Sequence, residues 1–121
     1  MIEIDIRSAL LADTGLTAIV SDRIAAMVMN AGELRPYITY QLISDNRYPT
    51  LNGSSNNRSG RFQINCFSTN YGQAKQISEL VQEIIESSSS FDSVFNGCQD
   101  LYDSTTKLYY VVIDYSLHKQ D

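Results

Sequence analysis

From Arg61 to Glu86 the apolar residues change their spacing. Over Arg61 to Phe67 they alternate, setting Phe62, Ile64 and Cys66 against Arg61, Gln63 and Asn65, which is the period of a strand with one buried face. Beyond Asn70 they recur at steps of three and four, as Ala74, Ile77, Leu80, Val81, Ile84 and Ile85, with Lys75, Gln76, Glu79, Gln82, Glu83 and Glu86 on the other side. That is an amphipathic helix. Asn70 stands three residues before Gln73, the spacing of a capping box in which side-chain amides satisfy the first backbone N–H groups. A half-buried strand leading directly into a one-faced helix has few solutions: the two apolar surfaces must meet, and other strands must complete the sheet beneath the helix.

Those strands are visible. Tyr37 to Ile43 is rich in aromatic and β-branched residues and puts Ile38, Tyr40 and Leu42 on one face, Thr39 and Gln41 on the other. Leu108 to Leu117 turns Tyr109, Val111, Ile113, Tyr115 and Leu117 inward and Asp114, Ser116 and His118 outward, while Tyr110 and Val112 keep the second face partly apolar. A further strand is expected around Val94 to Asp100, with Asn96-Gly97 as a turn or bulge and Ser104-Thr105-Thr106 as another turn. Ser87 to Ser90 ends the long helix. At the start, Ile2, Ile6, Ala9 and Leu10 share a helical face, although Ile2, Ile4 and Ile6 also alternate like a strand; helix is preferred over Ile2 to Ala12 because Ser8 to Ala12 has no β-branched residue. Thr14 is the expected cap of a second short helix through Val20. Ile24 to Met29 reads equally as a strand or as an extended packed loop, followed by a turn at Asn30 to Glu33. The expected fold class is α+β, an antiparallel sheet of about four strands with helices mainly on one face.

Between the strands at Tyr37 and Arg61 lies a long polar segment, Ser44 to Gly60, composed almost wholly of turn-forming residues. Asn, Ser and Gly offer local hydrogen bonds and little to bury, so no regular element is expected at its centre.

The chain of 121 residues with 43% hydrophobic content suffices for one core, and one domain, 1–121, is expected. Nothing approaches the roughly 18 apolar residues of a membrane span, and Met1 to Arg7 alternates charged with apolar residues unlike a signal peptide, so a soluble, unexported protein made in the cytoplasm is expected. Fourteen acidic against nine basic residues give a net charge of −5. The basic residues are scattered singly and form no stripe, which argues against nucleic-acid binding by counterion release.

Catalytic constellations are not evident. The one histidine, His118, reads as an exposed tail residue. Cys66 reads as a small buried hydrophobe, and Cys66 and Cys98 are expected to be reduced thiols. Asp100, Asp103 and Asp114 lack calcium-loop spacing, Asn52-Gly53-Ser54 lacks the lysine and repeated glycines of a phosphate loop, and no metal or cofactor is expected. Among eight tyrosines, Tyr40, Tyr109 and Tyr115 are assigned to the core. Tyr37, Tyr48, Tyr71 and Tyr110 are left free for a partner. Composition alone leaves open a ligand- or peptide-binding α+β module or a small cysteine-dependent enzyme.

Several strings, in order and spacing, resemble the tail-completion or tail-terminator proteins of long-tailed phages and prophages. They are Leu10-Leu11-Ala12-Asp13, Asp22-Arg23-Ile24, Pro36 to Gln41, Arg61 to Phe67, Tyr71 to Lys75, Asp100-Leu101-Tyr102-Asp103 and Asp114-Tyr115-Ser116. The resemblance implies a virion protein at the head-proximal end of the tail, acting by assembly rather than catalysis. It also implies a ring, usually of six copies, that caps the tail tube and joins the tail to the head, with the tail tube protein and the head-tail connector as partners. By position Ser44 to Gly60 matches the loop that in such proteins reaches ring neighbours or the tube, and it is expected to become ordered only there. The contact candidates are Asp45, Arg47, Tyr48, Leu51, Asn57 and Arg58 in or beside this segment, and Tyr110 on the last strand. The alternatives are a small non-viral α+β ligand- or peptide-binding module, which is the runner-up, and a neck or minor tail component other than the terminator.

Overall fold

The computed structural model describes residues 1–45 and 57–120. Helices α1 (Ile2–Ala12) and α2 (Thr14–Val20) are followed by strands β1 (Ile24–Ala26), β2 (Tyr37–Asp45) and β3 (Asn57–Ser68). Helix α3 (Tyr71–Ser87) and strands β4 (Asp92–Asp103) and β5 (Leu108–Gln120) complete the chain. The strands form one sheet in the order β1-β2-β3-β5-β4. The fold is α+β, as expected, but the sheet has five strands and is mixed, because β1 runs parallel to β2 with Ile24 opposite Ile38. Three residues are too few to carry a period, which is why Ile24 to Met29 stayed ambiguous in the sequence.

In α1 the helical period prevails over the alternation: Ile2, Ile6 and Leu10 are buried while Ile4 is 60% exposed, whereas in a strand Ile2, Ile4 and Ile6 would share a face. The cap of α2 is Asp13 rather than Thr14. Its carboxylate accepts the Leu16 N–H at 2.8 Å, so Thr14 is already the first helical residue, and an acidic group there also complements the helix dipole. Arg23 then fixes the turn into β1, donating from Nε to the Pro36 carbonyl at 2.8 Å and from Nη2 to the Ile19 carbonyl at 3.1 Å.

Helix α3 packs on β3 and β5 through Ala74, Ile77, Val81 and Ile85, all fully buried. Burying each large aliphatic side chain contributes about 1.5–3 kcal/mol. Its capping box is a relay. Asn70 Oδ1 accepts the Gln73 N–H at 3.0 Å, but Gln73 Oε1 accepts from the buried Ser68 hydroxyl at 2.7 Å, and that hydroxyl accepts the Asn70 N–H at 3.0 Å. Ser68, the last residue of β3, thereby ties strand to helix.

The predicted strand at Arg61 begins four residues earlier. Asn57 to Gly60 pair with Leu117 to Gln120 of β5 and Gly60 with Asp45 of β2, so long-range pairing overrides the turn preference of these residues. Gly60 is required here by close approach: a Cβ would stand 2.9 Å from Leu42 Cδ1 and 3.1 Å from the Ser44 carbonyl oxygen. The Asn96-Gly97 bulge is present between Phe95 and Gly97, and Gly97, at φ +151°, is in a conformation that favours glycine.

Ile38, Tyr40, Phe62, Ile64, Cys66, Val111, Ile113, Tyr115 and Leu117 make the sheet side of the core, under the helices. Tyr40 and Tyr115 are buried as expected and Tyr109 packs at the core margin. The Tyr115 hydroxyl donates to Glu86 Oε2 at 3.0 Å, and burial together with this carboxylate raises its pKa. Burial likewise pushes the Cys66 thiol well above its ordinary value, which keeps it protonated and unreactive. His118 is not a tail residue: it lies within β5, opposite Ser59 on one side and Asp92 on the other.

Candidate assembly surface

The sheet face away from the helices carries four cross-strand rows, set by the registers of β2, β3 and β5. At one end Tyr37, Phe67 and Tyr110 stack, with ring centroids 4.5 and 5.0 Å apart and planes within 20° of parallel. Next come Thr39, Asn65 and Val112, then Gln41, Gln63 and Asp114, then Arg61 beside Ser116. The polar rows bond within and between themselves: Asn65 Nδ2 donates to Thr39 Oγ1 of its own row at 3.1 Å, while Gln63 Nε2 donates to Asn65 Oδ1 at 2.9 Å and Arg61 Nε to Asp114 Oδ2 at 2.8 Å across rows. The bulged Asn96 reaches Ser116 Oγ at 2.9 Å on this face. The Arg61 guanidinium holds the Asp114 carboxyl below its usual range, with a smaller contribution from Asn96. Among the described residues no buried side-chain nitrogen or oxygen lacks a partner, so the face is an ordered polar layer ending in an aromatic stack.

A cleft of about 530 Å³ opens beside that stack, lined by Met27, Val28, Leu34, Tyr37, Phe67 and Leu108 among others. Met27 has φ +68°, a left-handed turn held by its N–H on the Tyr40 carbonyl at 2.9 Å. The turn ends β1 and leaves Met27 and Val28 exposed, with Leu34 exposed at the far end of the same segment. Glu33 chelates Arg35 through Nε at 2.8 Å and Nη2 at 2.9 Å, and this contact lowers the Glu33 carboxyl pKa from 4.5 to about 2.

Of the contact candidates, Arg47, Tyr48 and Leu51 lie outside the described residues, as does the expectation that their segment orders only against neighbours. Asp45, Asn57 and Arg58 belong to strands rather than to a loop: Asp45 pairs with Gly60, Asn57 with Gln120 and Arg58 with Lys119. Tyr110 is held in the stack with Phe67 and does not join them. Its β3 partner is ten residues from Asn57, about 34 Å along the strand, so the candidates mark opposite ends of the sheet. Tyr71, expected to be free, donates its hydroxyl to Asp100 at 2.6 Å beside Lys75. The three aspartates considered as ligands are separately engaged, Asp100 with Tyr71 and Lys75, Asp114 with Arg61, and Asp103 with the Thr105 N–H at 2.9 Å. The exposed Met27 and Val28 fall within Ile24 to Met29, for which the sequence left open a strand or an extended packed loop, and Leu34 beyond the turn carried no reading of its own.

The sequence profile of the tail completion protein gp17 family matches residues 4–118. The chain belongs to that family. A tail completion chain of this kind is a structural component of phage-like tails, among other tail proteins. The fold is similar to that of a chain in the virion of a native gene transfer agent particle, at 13% identity and a TM-score of 0.76, covering 96% of this chain and 92% of that one. No curated protein matches by sequence.

Proposed function

We propose that this tail completion protein forms a ring of identical subunits, six in number, at the head-proximal end of the tail tube, where it ends tube growth and joins the tail to the head. It acts by assembly and carries out no catalysis. The family match over nearly the whole chain carries this reading. The geometry supports it: a closed ring requires head-to-tail contacts between unlike surfaces, and the two edges of this sheet, β1–β2 and β4, are unlike. In this reading the tail tube protein and the head connector are the ring's partners. The excess of acidic residues suits a conduit through which DNA must pass without adhering.

Native mass spectrometry and electron microscopy of the protein mixed with tail tubes test the proposal. Rings at one tube end are the expected result, and strict monomers alongside bare tubes sink it. The 530 Å³ cleft favours one other reading, a peptide-binding module, for which tails assembled without the protein would still accept heads.

A further inference from the structure

Strand β4 is an edge. Among the described residues it pairs with β5 alone, and its twelve residues present about 40 Å of backbone on the other side. Long edges of this kind are blunted by proline, lysine or bulges; β4 has the one bulge at Asn96-Gly97 but neither proline nor lysine, and Val94, Phe95 and Tyr102 are exposed along it on both sides of the bulge. Its charges are Asp92, Asp100 and Asp103, with no basic residue in the strand.

At the opposite edge of the sheet, Arg7 of α1, Arg23 before β1 and Arg35 before β2 line one cleft of about 370 Å³ together with Asp22 and Glu33. Three of the chain's nine basic residues thus gather at this edge of an acidic protein. Val28, 75% exposed, stands in the same cleft, with Met27 and Leu34 exposed nearby. Each edge therefore offers apolar residues beside charge, and the balances differ in sign: three arginines outnumber Asp22 and Glu33 in the cleft, with Arg35 paired to Glu33, whereas β4 carries three aspartates, of which Asp100 is bridged by Lys75.

Taking the ring reading above as its basis, we infer that β4 of one copy docks on the β1-side edge of the next. The alternative of β4 against β4 would oppose Asp92, Asp100 and Asp103 to their own copies, a like-charge arrangement that costs affinity. Docking on the arginine-lined edge replaces that repulsion with attraction and covers both apolar patches. Because the two edges lie at opposite ends of one sheet, every copy that receives a neighbour on one side offers its β4 on the other, and the chain of contacts closes by rotation.

The test uses two variants, Val28→Asp and Val94→Asp, each placing a charge at an exposed position of one edge. Far-ultraviolet circular dichroism and thermal unfolding establish that each folds as the wild type does. With tail tubes, each variant alone is expected to lose ring formation. Mixed together, the two are expected to give dimers that grow no further, since the Val28→Asp copy keeps an intact β4 and the Val94→Asp copy an intact β1-side edge. The exposed Cys98 of β4 reports the same event: its alkylation slows when wild-type rings form and stays fast in Val94→Asp alone. Rings that persist in both variants overturn the edge assignment and leave the ring reading standing. Dimers of Val28→Asp alone show β4-to-β4 pairing and also overturn it. Wild-type monomers beside tail tubes overturn the ring reading itself.

Discussion

At Gly60 a single hydrogen decides how closely two strands approach. A methyl group there meets Leu42, Phe62 and the Ser44 carbonyl at 2.9–3.1 Å, and backbone cannot yield as a flexible side-chain end can. Gly60→Ala is expected to destabilise by about 1–3 kcal/mol, read as a lower urea midpoint with an unchanged slope. The glycine was plain in the sequence but its reason was not, since it was grouped with turn residues and its neighbour Leu42 comes eighteen positions earlier. Glu33 supplies a second residue-scale prediction. Its folded carboxyl ionises at lower pH than the unfolded one, so whatever stability the Arg35 contact contributes is complete above about pH 4.5 and is lost as pH falls through about 2. A carbon-detected NMR titration should place the Glu33 midpoint near 2, and Arg35→Gln should raise it part of the way to its ordinary value, since the backbone N–H of residue 35 still donates to the carboxylate and Arg23 stays nearby; an unchanged midpoint in that variant would remove the Arg35 guanidinium as the cause.

At the scale of elements, the three stacked rings join β2, β3 and β5 from the side the helices do not cover. Phe67 is the middle ring, with Tyr37 on one side and Tyr110 on the other. Phe67→Ala should break both contacts, at about 0.5–1.5 kcal/mol each beyond the lost area, and thermal unfolding together with the near-ultraviolet circular dichroism of the tyrosines should record it. An unchanged Tm would mean that the stack is incidental to the sheet. Elements whose period is carried by large apolar residues, α3 and β5 above all, were legible in the sequence nearly to their ends. The first four residues of β3 were not, because Asn57, Arg58, Ser59 and Gly60 contain nothing apolar and owe their strand geometry to partners in β5. The ring Tyr37–Phe67–Tyr110 was only half legible: Tyr37 and Tyr110 stood out as residues with no core role, but the registers that align them with Phe67 are a property of the assembled sheet.

For the whole molecule, the segment between β2 and β3 is shorter than its composition indicated, running from residue 46 to residue 56 once the strand pairings are assigned. Removal of 52–56 leaves every described strand pair untouched and should preserve the unfolding transition while abolishing the joining of tails to heads in an in vitro complementation assay. Loss of the fold would make the segment structural; full joining activity would remove it from the interface. The pairing of β3 also bears on how the chain reaches this structure. Asn57 meets Gln120 and Ser68 meets Tyr109, so the central strand has an open side until β5 is available. Contacts of such sequence separation slow folding toward the millisecond-to-second range, and a nascent chain that has completed α3 still exposes the alternating face of β3 without its partner. The acquisition of the native sheet is therefore a late event, set by the arrival of β5, and the unfinished protein has its greatest exposure to aggregation in that interval.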